Sequence, residues 1–190
     1  MKQTKNCMVV AMLFSTASWA HGPHVHGEAK VNLAVESANK AVLQFISPGD
    51  SVFGFEHEAK SAADKKKQSD AIDKVKNKMA EMVLFDKSLN CTLTATKTDI
   101  QKEKEDEEDK SAKDKSKKEV HHGEHNELLA EFAVTCAKDM RGSMLNFAIG
   151  KVFPRIADVD VAVLADQEQA SAEIKKDKGN VLIPKPIVAK

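Results

Sequence analysis

The chain has 190 residues, with 29 basic and 29 acidic side chains and a formal net charge of zero. A sequence this close to neutrality provides no electrostatic basis for binding nucleic acid or an anionic membrane surface. Its length allows a single domain with a substantial hydrophobic core.

Residues 1–20 predict a secretory signal. Met1–Lys5 is basic, Cys7–Ser15 is apolar, and Ala17–Ala20 ends in small residues suited to cleavage. The apolar run is shorter than the ~20 residues that a membrane helix needs, and no later segment approaches that length. Removing the signal leaves residues 21–190 with 27 basic and 29 acidic side chains, a net charge of −2. We therefore expect one exported domain without a membrane span.

Three histidines, His21, His24 and His26, lie within six positions directly after this signal. Imidazole nitrogen is a common ligand of zinc and of similar divalent cations. His24 and His26 are two positions apart, so on an extended chain they point to the same side at a separation of about 6 to 7 Å. The spacing leaves two interpretations open: a metal-binding motif, or a set of polar residues at a terminus that bind nothing.

Two strand-like segments follow. Residues 28–36 alternate apolar and polar side chains, and residues 40–47 form a second apolar run. The three residues between them are enough for a hairpin, and Pro48–Asp50 is a turn signal that ends the second run. An antiparallel pair is therefore expected to open the domain, with the histidine motif leading into its first strand.

The next segment ends in a fourth histidine, His57, and leads to a predicted helix. Ser61 and Asp64 form a capping box, and apolar residues at helical spacing continue to about Leu84. Lysines in the first turn oppose the helix dipole, so the ordered start is expected nearer Ser69.

The clearest strands are residues 89–98 and 127–137. An antiparallel register that sets Cys91 opposite Cys136 also sets Leu93 opposite Val134, so one pairing satisfies a disulfide and an apolar face together. After the signal is removed these are the two remaining cysteines, and in an oxidising compartment such a pair is most simply a disulfide. Ligation of a metal by both thiolates is the alternative.

Residues 99–126, between these strands, are dominated by lysine, glutamate and aspartate. A segment with so few apolar side chains cannot offset its ordering entropy by burial, which predicts a long solvated loop or a fluctuating helix. Its far end carries a second histidine cluster, His121, His122 and His125. Histidine otherwise occurs only at the amino-terminal motif and at His57, which favours a role in metal binding over solubility alone.

The remaining chain predicts further strands at residues 143–149 and 158–165, and a terminal hairpin formed by residues 169–176 and 181–183. No repeat or second domain is visible. The expected fold is α+β: a mostly antiparallel sheet, one main helix, and a long charged insertion between two strands.

Several motifs together resemble those of the ZrgA-like family of periplasmic proteins associated with zinc uptake in Gram-negative bacteria. They are HGPHVHGEAKVNLAVE at residues 21–36, GFEH at residues 54–57, two cysteines that bracket a charged insertion, and the Phe153-Pro154 step. The resemblance implies a zinc-binding protein without catalytic activity that helps to supply a high-affinity zinc importer. By position, it assigns metal binding to His21, His24, His26, His57, His121, His122 and His125.

A closed zinc site needs about four ligands. The amino-terminal motif supplies three, so we expect the fourth from Glu28, His57, the insertion, the free amino group or water, in a labile site that exchanges metal with the insertion. Two alternatives stay open: copper chelation by an amino-terminal His21, and an interaction domain whose histidines are incidental. A hydrolytic zinc enzyme is disfavoured because no carboxylate is placed as a general base. Imidazole also serves nickel and cobalt, so the sequence does not select the metal.

Overall fold

The computed structural model describes residues 26–102 and 125–186. These residues form nine strands and three α-helices, with a short 3-10 helix at Lys87–Leu89. The strands are β1 Glu28–Ser37, β2 Lys40–Pro48, β3 Val83–Leu84, β4 Thr92–Lys102, β5 Asn126–Thr135, β6 Met144–Phe147, β7 Asp158–Ala165, β8 Glu168–Lys175 and β9 Asn180–Leu182. The helices are α1 Gly49–Phe53, α2 Ala62–Met82 and α3 Ile149–Val152.

Six strands form one sheet in the order β4-β5-β2-β1-β7-β8. Every neighbouring pair is antiparallel except β1 and β7, which run parallel. A second sheet has the order β3-β6-β9. The fold is α+β, as the sequence predicts, with β-structure predominating.

The core lies between one face of the large sheet and a layer made of α2 and the small sheet. The sheet contributes alternate residues of each strand, such as Val31, Leu43 and Phe132, which are fully buried. Val75 and Met79 of α2 are also buried, at positions that share one helical face. The alternation of period two in the strands and the helical spacing in α2 therefore face each other across one apolar layer.

The predicted first hairpin is confirmed, since β1 and β2 pair over most of their lengths. The predicted pairing of β4 with β5 is also confirmed: Leu93 lies opposite Val134, and a disulfide joins Cys91 to Cys136. The register shifts by one residue at a bulge between Ala95 and Lys97. A bulge of this kind leaves one residue unpaired and bends the strand. The alternation of apolar and polar residues does not predict its position.

Three predicted boundaries are wrong. Helix α2 begins at Ala62 and not near Ser69, because the Ser61 hydroxyl accepts a hydrogen bond from the Asp64 amide and Lys66 pairs with Asp70. The charged insertion does not begin at residue 99, since β4 continues through Lys102 in register with β5. The third wrong boundary is the predicted end of the insertion at residue 126, because Asn126 already belongs to β5.

The predicted terminal hairpin of residues 169–176 with 181–183 is also wrong. β8 pairs with β7, through a tight turn in which Asp166 adopts a positive φ of 54°. β9 pairs with β6 in the other sheet, where Val181 is buried. Burial of this apolar residue against the core decides the partner of β9, and that burial depends on residues far away in sequence.

Candidate metal centre

The order of the strands brings two distant histidines to one end of the large sheet. His26 precedes β1 and His125 precedes β5, and both strands run antiparallel to β2, which lies between them. The starts of β1 and β5 therefore flank the end of β2 at Pro48. With neighbouring strands ~4.8 Å apart, this arrangement places the two histidine backbones about 10 Å apart. We call this region, at the ends of β5, β2 and β1, the histidine end of the sheet.

A single carboxylate, that of Glu56, contacts both imidazoles. Its Oε2 lies 2.6 Å from Nδ1 of His125, and its Oε1 lies 3.4 Å from Nδ1 of His26. The Glu56 side chain is only 17 % exposed, whereas those of His26 and His125 are 63 % and 49 % exposed. The carboxylate is thus partly shielded while the two rings are open to solvent.

The backbone after β2 places Glu56 between the two histidines. Helix α1 ends at Phe53 and is capped by Gly54, which has a φ of 85°, a conformation that favours glycine. Gly49 lies between the segment that follows α1 and the start of β5. A Cβ at this position would lie 2.8 Å from the Phe55 carbonyl oxygen and 3.0 Å from that of Asn126, so both approach the Gly49 backbone closely. Glycine at this position therefore allows the approach that brings the Glu56 segment beside His125.

A second carboxylate, Asp50, borders the same cluster. Its Oδ2 lies 3.6 Å from Nδ1 of His26, and its Oδ1 accepts a hydrogen bond of 2.9 Å from the Arg155 guanidinium. Two carboxylates and one guanidinium leave one net negative charge beside the histidines. That charge favours a bound cation.

The start of β1 is fixed by hydrogen bonds to the chain around it. The Gly27 amide donates to the Ser51 hydroxyl at 3.1 Å, and the Gly27 carbonyl accepts from the amides of Ala157 and Asp158. Ser51 is buried. These bonds hold the backbone next to His26, so its side chain projects from a rigid base.

His57 has different partners. Its ring stacks on that of Phe55, with centroids 4.8 Å apart, and its Nδ1 lies 3.0 Å from the Glu58 carbonyl oxygen. Its neighbour Glu56, and not His57, is the residue of this segment that faces His26 and His125. The GFEH motif thus contributes its glutamate to the cluster and sets its histidine in a separate environment.

The other four predicted ligands, His21, His24, His121 and His122, lie outside the described residues. Their neighbours His26 and His125 are described, and these two are brought together by Glu56. Within residues 26–102 and 125–186, no three histidine, cysteine, aspartate or glutamate side chains converge as a group that could hold a metal ion.

Glu56 and Asp50 were missed at the level of sequence. Glutamate and aspartate are abundant in this chain, so neither residue stands out by composition. The available signal was the position of Glu56 inside GFEH, beside a histidine already singled out. Reading that motif as a pair of candidate side chains would have found it.

The cysteines form a disulfide between the start of β4 and the end of β5, with a separation of 45 residues. This result excludes the alternative in which the pair ligates a metal as thiolates, and it fits an oxidising compartment. Among the helices in the described ranges, none has the length and apolar character required to cross a membrane.

The structure is thus an α+β domain with two histidines and two carboxylates gathered at one sheet end and a disulfide elsewhere. The profile of the family described as "ZrgA family zinc uptake protein" matches residues 23–183. The chain belongs to this family, which is a zinc uptake family and not a family of enzymes. No curated protein matches the sequence.

Proposed function

We propose that this chain is a periplasmic accessory protein that binds zinc at the histidine end of its sheet and passes it to a high-affinity zinc importer. One observation carries the proposal: His26 and His125, which are 99 positions apart in sequence, contact the same carboxylate. Each belongs to a cluster that holds further histidines. Membership of a zinc uptake family is the reason for proposing zinc as the bound metal.

In this proposal zinc is coordinated by His26 and His125 together with imidazoles from the adjoining clusters. His24 lies two positions from His26, and His121 and His122 lie within four of His125. Two described imidazoles plus two from these neighbours would complete the four ligands that zinc prefers. His57 is not part of this proposed shell, because its ring is held against Phe55.

The exposure of both rings suits delivery as well as capture. A delivery protein has to release its metal, and a site open to solvent exchanges ligands with a partner or with water more readily than a closed one. The net negative charge from Asp50, Glu56 and Arg155 attracts the cation without contributing imidazole ligands. Since protons compete for imidazole nitrogen, affinity for zinc should fall as pH is lowered.

Isothermal titration of the metal-free chain from His21 onward, with zinc, tests this proposal. We expect the His26→Ala/His125→Ala variant to lose the tightest binding event, and we expect the control variant His57→Ala to keep it. An unchanged tightest event in the double variant would refute the site. Zinc added at a hundredfold excess over its Kd should also raise the free energy of unfolding of the wild type by about 2.7 kcal/mol.

The same titration separates the alternative functions. An interaction domain with incidental histidines would show no stabilisation by zinc. Chelation of copper by an amino-terminal His21 would give a copper event that survives the His26→Ala/His125→Ala change and disappears when one residue is added before His21. Transfer to an importer component is tested by the rate at which zinc leaves the loaded protein in the presence of that component.

A further inference from the structure

We infer that Glu56 is a positioning residue whose carboxylate accepts the Nδ1 proton of His125 and electrostatically favours a proton on Nδ1 of His26, so that both rings present Nε2 to the metal. This inference rests on the proposed function, because it assigns the ligating atoms of the same site. It assigns Glu56 to the shell around the ligands and not to the ligands themselves.

The contact between Glu56 and His125 determines which nitrogen of the His125 ring holds the proton. Its Nδ1 lies 2.6 Å from Glu56 Oε2, a short hydrogen bond from a ring N–H to a carboxylate. Two atoms bound to one tetrahedral zinc at ~2.0 Å lie about 3.3 Å apart, so this pair is too close to share a metal. A carboxylate only accepts hydrogen bonds, and the proton is therefore on Nδ1 of the neutral ring. The lone pair of neutral His125 is then on Nε2.

Electrostatics favour the same form of His26. Its Nδ1 edge faces two carboxylates, Glu56 at 3.4 Å and Asp50 at 3.6 Å. A protonated Nδ1 is attracted by both negative charges, whereas a lone pair at that position would be repelled by them. Arg155 holds Asp50 in this place through its Oδ1. His26 therefore also carries its free lone pair on Nε2.

His57 provides an internal comparison. Its Nδ1 lies 3.0 Å from the Glu58 carbonyl oxygen, which also only accepts hydrogen bonds. The Nδ1 proton is thus favoured in all three histidines of the described residues, but only in His26 and His125 does it depend on Glu56. Outer carboxylates of this kind fix the ring and increase its basicity, and their loss typically weakens metal binding about 10-fold to 100-fold.

The first test is a long-range proton–nitrogen NMR experiment on the metal-free full chain, which reports the protonated nitrogen of each neutral ring. The expected result is a proton on Nδ1 of both His26 and His125. In Glu56→Gln, at least one of these two rings should shift towards a proton on Nε2, because the amide has one acceptor oxygen in place of two. His57 should not change. A proton on Nε2 of either ring in the wild type would overturn the inference.

The second test is zinc titration of Glu56→Gln beside the control Glu58→Gln. The Glu58 carboxylate pairs with Lys60 and Lys102. Its replacement removes the same charge without removing a carboxylate that contacts His26 or His125. We expect affinity for zinc to fall 10-fold to 100-fold in Glu56→Gln and to stay unchanged in Glu58→Gln. Equal affinities in these two variants would overturn the inference, as would Nδ1 ligation in the NMR spectrum of the zinc-loaded wild type.

The two tests separate this inference from the proposed function. If zinc does not bind at all, the proposed function fails while the ring tautomers of the metal-free protein still confirm or refute the role of Glu56. Thermal unfolding of both variants shows whether each is folded. A folded Glu56→Gln protein that retains wild-type tautomers would refute the positioning role directly.

Discussion

Strand β5 joins two regions that are held in place in different ways. At the histidine end it is preceded by His125, an exposed residue fixed by contact with the Glu56 carboxylate. At the other end it is followed by Cys136, which is buried and covalently joined to Cys91. We call this second region the disulfide end. One strand thus connects a polar, open region suited to binding with an apolar, crosslinked region suited to stability.

The difference shows how this domain separates the two tasks. The backbone at the disulfide end is closed by hydrogen bonds from Cys136 to the Asn39 carbonyl and from Met140 to the Ala38 carbonyl. At the histidine end, the side chains of Asp50 and Glu56 meet exposed rings. Because these backbone hydrogen bonds lie at the opposite end of β5, the residues of the proposed zinc site can remain exposed.

The largest expected effect comes from removing the disulfide. The variant Cys91→Ala/Cys136→Ala should lose about 2–5 kcal/mol of free energy of unfolding, since a crosslink across 45 residues restricts the unfolded chain. Denaturant unfolding measures this loss. Zinc affinity at a low temperature, where the variant stays folded, should equal that of the wild type. A parallel loss of affinity would show that the two ends are coupled through β5.

An intermediate effect is expected at Gly49. In Gly49→Ala, the new methyl group would press on the carbonyl oxygens of Phe55 and Asn126, at a cost of about 1–3 kcal/mol of stability. The displacement separates Glu56 from His125, so zinc affinity should fall as well. The control Ile174→Val, at a buried position in β8, should lose about 0.5–1.5 kcal/mol without a change in affinity. Wild-type zinc affinity in Gly49→Ala would refute this account of the backbone.

The smallest effect concerns Asp139, near the disulfide end. A hydrogen bond from the Arg141 side chain holds the pKa of Asp139 below its ordinary value. A lowered pKa in the folded state stabilises the protein above the ordinary aspartate pKa, and this contribution is lost as pH falls through the folded-state pKa. Because the side chain is half exposed, the contribution should be less than about 1 kcal/mol.

The variant Asp139→Asn measures this contribution. The difference in free energy of unfolding between wild type and variant should be present at pH 6 and should shrink as the pH falls into the acid range. Zinc affinity at pH 7 should not change. A difference that grows on acidification would contradict the assigned direction of the pKa shift.

The disulfide end could be predicted from sequence because two independent signals coincide there. The cysteine pair and the alternation of apolar residues both specify that Leu93 lies opposite Val134, and the structure has this pairing. The histidine end could be predicted only in part. Histidine is rare enough to mark His26 and His125 as candidates, but their meeting requires β2 to lie between β1 and β5. That strand order depends on packing across the whole sheet.

The errors have the same origin. The predicted pairing of β9 was wrong because burial of Val181 in the small sheet outweighs the local turn signal. Glu56 was missed because it can be recognised as a site residue only from its contacts with His26 and His125, which are distant in sequence. Local patterns therefore predict strands and their apolar faces, whereas the site arises from elements that are far apart in sequence.

The position of zinc can be located directly in crystals of the loaded chain from His21 onward, by anomalous diffraction at the zinc edge. We expect a peak bonded to Nε2 of His26 and Nε2 of His125 at about 2.0–2.1 Å, with the Glu56 carboxylate beside Nδ1 of both rings. A zinc peak that contacts neither His26 nor His125 would refute the proposal that the histidine end binds zinc.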